Sequence, residues 1–321
     1  MAESLRTSAT NDSGQGLQNV ATGLQRPECV LAHSSGRLFV SDHRGGVTSI
    51  WPDGRQQLSG QTALLPNGIA LQKDGSFLVA NLGIDGGVWR IAPDGQASPW
   101  MAEVDGRVID RVNFVTNDSS GRVWACISAT DGGDAYPLRS ATGSIILRDA
   151  AGTRVVADGL HYTNECRVSV DGRFMYVNET FGRRLSRFRI ADSGELKDRH
   201  IMATFDDGDF PDGLALDAEG GAWVVCVGSN RVYRIAPDGE KQTIIDDAVS
   251  ATAIELEASF VAGTLDRTQL SAARGHRLSN VTSLAFGGPD LRTAYMGCLA
   301  GDSLVSFRTP VPGLVPVHWN W

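Results

Sequence analysis

Short apolar runs alternate with turn residues along the chain, and one repeated pattern dominates. Its clearest copy spans residues 210–217, Phe-Pro-Asp-Gly-Leu-Ala-Leu-Asp, and a second apolar run follows at residues 222–225. Pro211 fixes the backbone φ angle and has no N–H group, while Gly213 permits a tight turn. The pattern predicts a strand that begins at the turn and pairs with the next apolar run in a hairpin.

The pattern occurs six times, each time with a polar residue before or at the start of the first apolar run. These polar residues, called the anchor residues below, are Glu28, Asn67, Asn113, Asn164, Asp212 and Thr282. A second run with alternating apolar and polar positions follows each copy, and several of these runs end in Pro-Asp-Gly, as in residues 232–239. This period of two is typical of half-buried strands, and no segment shows a convincing helical period.

Most anchor residues are separated by about 40 to 50 residues, the length of a β-propeller blade built from four strands. Six copies therefore predict an all-β fold, a six-bladed β-propeller with four-stranded blades. The longer gap between Asp212 and Thr282 predicts an insertion at about residues 247–279, before the last blade. An N-terminal strand near residues 19–22 is expected to complete the sixth blade and close the ring. We predict a flexible leader over residues 1–15 and a single propeller domain over residues 16–321.

Composition narrows the class of protein. The 321 residues are 42% hydrophobic with a net charge of −8, and the lack of Lys/Arg-rich runs argues against nucleic-acid binding. No apolar stretch approaches the roughly 20 residues that span a bilayer, and the leader lacks the apolar segment of a signal peptide. The five cysteines form no C-x-x-C motif and are expected to be buried free thiols. We expect a cytoplasmic protein without a nucleic-acid or membrane partner, of unspecified oligomeric state.

The anchor residues carry the candidate chemistry. The innermost strand of each propeller blade lines a central channel, so the anchors are expected to meet at one channel mouth. They supply two carboxylates, three carboxamides and one hydroxyl, an all-oxygen set that suits a hard cation such as Ca²⁺ or Mg²⁺, with Mn²⁺ as a further candidate. Without a cation, Glu28 and Asp212 would repel each other in a partly dry channel. The alternative is that the anchors are only turn residues, which fits Asn67 well and Glu28 poorly.

These segments resemble the gluconolactonase family that includes the senescence marker protein regucalcin, over nearly the whole chain. The motifs that carry the resemblance are Glu28, Arg111-x-Asn113, Asn164, Pro211-Asp212-Gly213 and Thr-Ser-Leu-Ala-Phe-Gly-Gly-Pro-Asp-Leu at residues 282–291. The resemblance implies a metal-dependent lactonase, a carboxylic ester hydrolase. In that family the positions of Glu28, Asn164 and Asp212 hold one divalent cation, with Ca²⁺ expected first and Mg²⁺, Mn²⁺ or Zn²⁺ as alternatives. The positions of Arg111 and Asn113 face the substrate, and that of Asp212 holds the acid/base.

The resemblance also implies how a lactone would be opened. A bound cation would polarise the lactone carbonyl and activate a water molecule. Asp212 is expected to take a proton from that water or to pass one to the leaving alkoxide. Asn113 and Arg111 are expected to stabilise the oxyanion or to orient hydroxyl groups. Asp131 or Asp134 is expected to supply a further acidic contact to the substrate.

Three departures from the family pattern bear on the substrate. Cys29-Val30 stands where the family often has Gly-Pro, Phe114 follows the third anchor where an acidic residue is usual, and Glu165 follows the fourth where glycine is usual. Phe114 makes its part of the site more apolar than a sugar lactone needs. Glu165 is a further cation ligand, a substrate contact or an ion-pair partner of Arg167.

Two more residues and two rival functions stay open. His161 is either a group at the channel mouth or polar surface, and Arg111 is either a substrate contact or a surface charge paired with Asp110. The predicted partner is a small-molecule lactone or ester. The rival functions are a non-catalytic calcium-binding or scaffold propeller, and a related metal-dependent propeller enzyme with a different reaction such as isomerisation.

Overall fold

The strands of the protein form six blades around a central channel. The structure is a computed structural model, and it describes residues 16–61, 63–129 and 140–321. Each blade is an antiparallel sheet of four strands. The prediction of a six-bladed β-propeller is confirmed. The predicted leader over residues 1–15 lies outside the described residues.

Three blades follow a short N-terminal strand, β1 (Gln18–Val20). Blade 1 contains β2 (Val30–Ala32), β3 (Leu38–Asp42), β4 (Gly46–Ile50) and β5 (Gln56–Gly60). Blade 2 contains β6 (Pro66–Leu71), β7 (Phe77–Asn81), β8 (Val88–Ile91) and β9 (Ala97–Met101). A small hairpin consists of β10 (Glu103–Val104) and β11 (Arg107–Val108). Blade 3 contains β12 (Phe114–Asn117), β13 (Val123–Ile127), β14 (Gly143–Asp149) and β15 (Gly152–Leu160).

The second half of the chain forms two complete blades, a helical segment and the last blade. Blade 4 contains β16 (Thr163–Val168), β17 (Phe174–Glu179), β18 (Arg184–Ile190) and β19 (Leu196–Thr204). Blade 5 contains β20 (Phe210–Leu216), β21 (Ala222–Val227), β22 (Arg231–Ile235) and β23 (Lys241–Asp246). The helices are α1 (Ser250–Ala262) and α2 (Arg267–Ala272). Blade 6 contains β24 (Val281–Gly287), β25 (Thr293–Cys298) and β26 (Leu304–Arg308).

The ring is closed by the N-terminal strand, as predicted. β1 pairs antiparallel with β26, so the order of strands in blade 6 is β1-β26-β25-β24. Neighbouring innermost strands contact each other around the ring, including β24 and β2. Closure in this way satisfies backbone groups that would otherwise form open sheet edges.

The segment between β23 and β24 folds into helices, which the pattern of apolar positions does not predict. α1 buries only Leu256 fully, so its apolar periodicity is weak. The helical boundaries are clearer than the periodicity. Gly263, with a left-handed φ of 72°, follows the last residue of α1, and Asp266 and Gln269 form a capping box at the start of α2. Among the described residues, no helix is long and apolar enough to cross a membrane.

Four innermost strands contain a β-bulge at the anchor residue. In blade 5, Pro211 pairs with Cys226 and Leu214 pairs with Val224, so β20 has one extra residue at Asp212. The strands β6, β16 and β24 have the same register shift at their own anchors. A bulge bends its strand and redirects a side chain, and bulges are common beside active sites. The bulges therefore give the channel mouth a local backbone geometry that regular strands lack.

The innermost strands approach each other closely at these bulges. A Cβ atom at position 213 would collide with the backbone of Thr282 and Ser283 on β24. A Cβ atom at position 68 would lie 2.7 Å from the Cα atom of Phe114 on β12. Gly68 and Gly213 are thus required by close backbone contact between blades.

The opposite end of the channel is covered by the C-terminal tail, residues 309–321. Leu314 N donates to the carbonyl oxygen of Leu216 at 2.9 Å, and the His33 ring hydrogen-bonds the carbonyl oxygen of Trp321 at 2.8 Å. The tail encloses a mainly apolar cavity of about 130 Å³ beneath the ends of the innermost strands. All five cysteines are buried and free, as predicted.

Candidate functional site

A small cavity of about 40 Å³ lies at the channel mouth where the innermost strands begin. Five of the six anchor residues line it: Glu28, Asn67, Asn113, Asn164 and Asp212. The other charged or hydroxyl-bearing residues that line it are Arg26, Tyr162, Thr180 and Arg267. Segments that are far apart in the sequence therefore meet at one site, as the repeat predicted.

Asn67 connects the first three blades at this cavity. Its Nδ2 atom donates to Glu28 Oε1 at 3.0 Å and to the carbonyl oxygen of Asn113 at 2.9 Å. Its Oδ1 atom accepts a hydrogen bond from Arg26 Nη1 at 3.0 Å. The sixth anchor, Thr282, lies outside the cavity lining, but its hydroxyl donates to the carbonyl oxygen of Glu28 at 2.9 Å. The hydrogen bonds of Asn67 and Thr282 therefore hold the neighbouring anchor residues in position.

Hydrogen bonds from blade 4 hold the Asp212 segment and Asn164. Asn164 Nδ2 donates to Thr180 Oγ1 at 3.0 Å, and that hydroxyl donates to the carbonyl oxygen of Pro211 at 2.8 Å. Asn178 Nδ2 donates to the carbonyl oxygen of Asp212 at 3.0 Å. Because the side-chain NH2 group of Asn164 donates to Thr180, the side-chain oxygen of Asn164 points away from Thr180.

Four buried side-chain oxygens of the lining residues have no hydrogen-bond partner among the described residues. They are Glu28 Oε2, Asn113 Oδ1, Asn164 Oδ1 and Asp212 Oδ1. Leaving such acceptors buried and unsatisfied costs free energy, so their number at one site calls for a ligand. All four are hard oxygen donors, the type that Ca²⁺, Mg²⁺ and Mn²⁺ prefer. The donor set fits a divalent cation.

The oxygen donors at this cavity differ from a metal site that is built only on ionisable side chains. The described part of the chain contains no group of three or more His, Cys, Asp or Glu side chains that could hold a metal ion. The cavity combines only two carboxylates, Glu28 and Asp212, with carboxamide oxygens. Calcium sites in proteins accept carboxamide and carbonyl oxygens alongside carboxylates.

The two carboxylates are costly to ionise as they stand. Burial is the main cause that raises the pKa of Glu28 and of Asp212 above their ordinary values. Their mutual repulsion raises the pKa of Asp212 further, and the charge of Arg26 partly opposes both shifts. A bound cation would favour the ionised forms, because it places positive charge beside both carboxylates.

Glu165 lies close to the site but has a protein partner. Its Oε2 atom accepts hydrogen bonds from Arg167 Nη2 at 2.8 Å and from Leu214 N at 3.1 Å. Burial raises the pKa of Glu165 to about 7 despite this partner. Of the three alternatives for Glu165, the structure contains the ion pair with Arg167. Its Oε1 atom has no partner among the described residues.

The remaining predicted residues are placed as follows. Arg111 is partly exposed and is not among the residues that line the cavity, so its substrate role stays a prediction. His161 also lies outside the lining, and its backbone N–H donates to Glu179 Oε2 at 2.9 Å. Asp131 and Asp134 lie outside the described residues.

Sequence reasoning missed two cationic residues of the site, Arg26 and Arg267. Arg26 precedes the first anchor by two positions and carries no motif. Arg267 is at the start of α2, in the insertion that was predicted without an assigned role. The capping box next to it is the only local signal that a helix begins there.

A family model described as "SMP-30/Gluconolactonase/LRE-like region" matches residues 26–255. The chain belongs to this family. The match includes the segments of five anchor residues, and the predicted resemblance is confirmed. Membership in the SMP-30/gluconolactonase/LRE-like family supports a lactonase role at the level of the family.

Curated relatives are similar at low identity. A 6-deoxy-6-sulfogluconolactonase from Pseudomonas putida is 28% identical over 270 residues, covering 82% of this chain and 75% of the relative. Regucalcin from Xenopus laevis is 23% identical over 299 residues, covering 88% of this chain and 87% of the relative.

Solved structures of other proteins have a similar fold. A gluconolactonase from Xanthomonas campestris aligns with a TM-score of 0.70 at 20% identity, covering 93% of this chain and 91% of that one. A calcium-binding protein, regucalcin, from Agrobacterium tumefaciens aligns with a TM-score of 0.65 at 16% identity, covering 94% of this chain and 95% of that one.

Proposed function

We propose that this protein hydrolyses a small-molecule lactone with the help of one divalent cation held by Glu28, Asn164 and Asp212. One observation carries the proposal: in a propeller of a lactonase family, these three residues each have a buried oxygen at one cavity that no described residue pairs. Ca²⁺ is the cation that we expect first, because two of its three ligand side chains would be carboxylates and the third a carboxamide. Mg²⁺, Mn²⁺ and Zn²⁺ are the alternatives.

The proposed reaction breaks the ring ester bond of the lactone and adds water across it. When bound, the cation would supply Lewis-acid polarisation of the carbonyl and activation of water. Asp212 accepts a proton as the water oxygen bonds to the carbonyl carbon, and returns it to the ring oxygen that leaves. Asn113 orients a hydroxyl group of the substrate, because its side-chain oxygen accepts no hydrogen bond from the described part of the chain.

The proposal is tested by a panel of aldonolactones, aromatic lactones and aliphatic lactones, assayed with and without a chelator. We expect turnover of at least one lactone, its loss on chelation and its return with Ca²⁺. Turnover that is unaffected by complete chelation would contradict the role of the cation. A protein that binds Ca²⁺ tightly and opens no lactone in the panel would contradict the enzymatic role.

The second candidate is a cation-binding propeller without catalysis. The unpaired oxygens would suffice for this role, and a relative matched over most of both chains is named regucalcin. The lactone panel separates the two candidates, since only the enzyme releases acid from a lactone faster than spontaneous hydrolysis does. The cytoplasmic location and the absence of nucleic-acid and membrane partners, expected from the sequence, also belong to the proposal.

A further inference from the structure

Two arginine side chains from distant parts of the chain line the cavity beside the anchor residues. Arg26 lies in the segment before β2, Arg267 is the first residue of α2, and both are half-buried. A guanidinium group is always charged near neutral pH, and its planar donors match carboxylate, sulfonate or phosphate oxygens. The proposed hydrolytic mechanism assigns no task to either arginine.

Arg26 is held in place by neutral groups. Its Nη1 atom hydrogen-bonds Asn67 Oδ1 at 3.0 Å and His43 Nε2 at 2.9 Å. Arginine can only donate, so His43 must accept and is therefore the neutral imidazole. Burial first, and then the charge of Arg26, lower the pKa of His43 to about 4. The positive charge of Arg26 is fixed at the cavity without being cancelled by these two partners.

The balance of charge changes when a cation binds. Among the described residues that line the cavity, the charged side chains are the two anchor carboxylates, Arg26 and Arg267, while the nearby Glu165 is paired with Arg167. A divalent cation added to these four lining groups would make the sum of their charges positive. In a small and poorly hydrated site, such a surplus favours a substrate that carries negative charge.

We infer that Arg26 and Arg267 recognise an anionic group on the lactone, so that acidic sugar lactones are preferred over neutral ones. The group is a carboxylate, a sulfonate or a phosphate, which share the oxygens that guanidinium groups bind. Arg267 belongs to the helical insertion, so the insertion contributes to substrate selection. This inference rests on the proposed lactonase function.

The test compares the γ-lactones of glucaric acid and gluconic acid, which differ by a carboxylate in place of a hydroxymethyl group. We expect Arg267→Gln to raise the KM for the glucaric lactone about tenfold to a hundredfold, as for loss of a charge-assisted hydrogen bond. The KM for the gluconic lactone should change less than about threefold. Arg274→Gln is the matched control, because Arg274 is exposed in the same insertion and bonds Ala300 and Ser279 outside the cavity.

A binding measurement keeps the inference testable if neither lactone is hydrolysed. Methyl glucuronide and methyl glucoside differ by the same two groups and cannot be opened as lactones. Calorimetry with Ca²⁺-loaded protein should show tighter binding of the glucuronide, lost in Arg267→Gln and kept in Arg274→Gln. If the protein keeps this binding preference but hydrolyses no lactone, the proposed lactonase function is wrong and the inference on anion recognition stands.

Two results would overturn the inference. One is equal binding and equal KM for the charged and neutral members of each pair in the unaltered protein. The other is an Arg26→Gln or Arg267→Gln variant that binds Ca²⁺ more tightly yet keeps the preference for the charged ligand. That second result would mean that the arginine only offsets the anchor carboxylates. Arg26→Lys, which retains the charge, should keep most of the preference and controls for misfolding.

Discussion

Asp212 and Asp217 lie at the two ends of the same innermost strand, and their surroundings are opposite. Both are buried, with 6% and 2% of their surface exposed. Asp217 Oδ1 accepts two backbone N–H groups of the following turn, and its Oδ2 accepts from Trp223 Nε1 at 3.0 Å and Arg234 Nε at 2.7 Å. Asp212 Oδ1 has no partner among the described residues.

Blade 3 repeats the contrast. Asp118 follows β12 and accepts from Trp124 Nε1 at 2.9 Å and from Arg122 Nε at 2.6 Å. Asn113 precedes β12, and its side-chain oxygen has no partner in the part of the chain that the structure describes. Burial alone therefore does not tell a fully paired polar residue from one that could bind a ligand. The number of donors around its oxygens does, because a fully paired carboxylate has no capacity left for a ligand.

The largest effect is expected from Asp212→Asn. This change removes the proposed acid/base and one charged cation ligand, so lactone turnover should fall by about 10³-fold or more. The fold should be retained, since the lost charge is one that burial disfavours. Steady-state kinetics with a lactone identified by the panel measure turnover, and circular dichroism measures whether the fold is retained. Wild-type turnover in this variant would remove Asp212 from the mechanism.

Asp217→Asn should have the reverse effect, lowering the stability of the fold and leaving turnover unchanged. It leaves Trp223 and Arg234 without their buried carboxylate, which we expect to cost about 3 kcal/mol of the free energy of unfolding. Urea denaturation measures the loss, and kcat per folded molecule should stay near wild type. Asp118→Asn in blade 3 is the matched variant. A loss of kcat without a loss of stability would erase the contrast between the two strand ends.

A pair of Glu→Gln changes tests the contrast between paired and unpaired carboxylates. Burial alone would raise the pKa of Glu179, but hydrogen bonds from Arg184 and Ser186 hold it below its usual value. A lowered pKa in the folded state means that this carboxylate stabilises the fold above the ordinary glutamate pKa, and the contribution is lost as pH falls. Glu179→Gln should cost about 2 kcal/mol at pH 7 and less near pH 3.

Glu28→Gln, the other member of the pair, should weaken Ca²⁺ binding by about tenfold or more, since it removes one of two ligand charges. In the presence of a chelator it should not lower the melting temperature at pH 7. Calorimetry and thermal melts measure the two quantities. An unchanged Ca²⁺ affinity, or a loss of stability as large as that of Glu179→Gln, would contradict the proposed cation site.

The smallest effect is expected from Trp223→Phe. It removes one of the four donors to Asp217 while keeping most of the aromatic packing, so we expect a loss of about 1–2 kcal/mol. Trp124→Phe should have a similar cost in blade 3. Chemical denaturation of both variants would show whether the two blades use their buried tryptophans in the same way.

Much of this architecture could be predicted from local pattern. Apolar alternation and Pro-Asp-Gly turns indicated the strands, and the recurrence of Glu28, Asn164 and Asp212 at the same point of the repeat predicted their meeting. The helices were missed because α1 has little amphipathic pattern, with Leu256 as its one fully buried residue. Arg26 was missed because no spacing rule applies to a residue outside the repeat.

The sequence by itself determined the blades and which polar residues begin their innermost strands, because a repeat of short strands can bury its apolar faces only by stacking into a closed ring. The tertiary structure decided which oxygens stay unpaired. That depends on β-bulges at the anchors and on cross-blade donors such as Asn67, Thr180 and Asn178, which reach their acceptors only after the ring closes. It also brought Arg267 from the insertion to the cavity, since contacts between distant segments have no signature in local sequence.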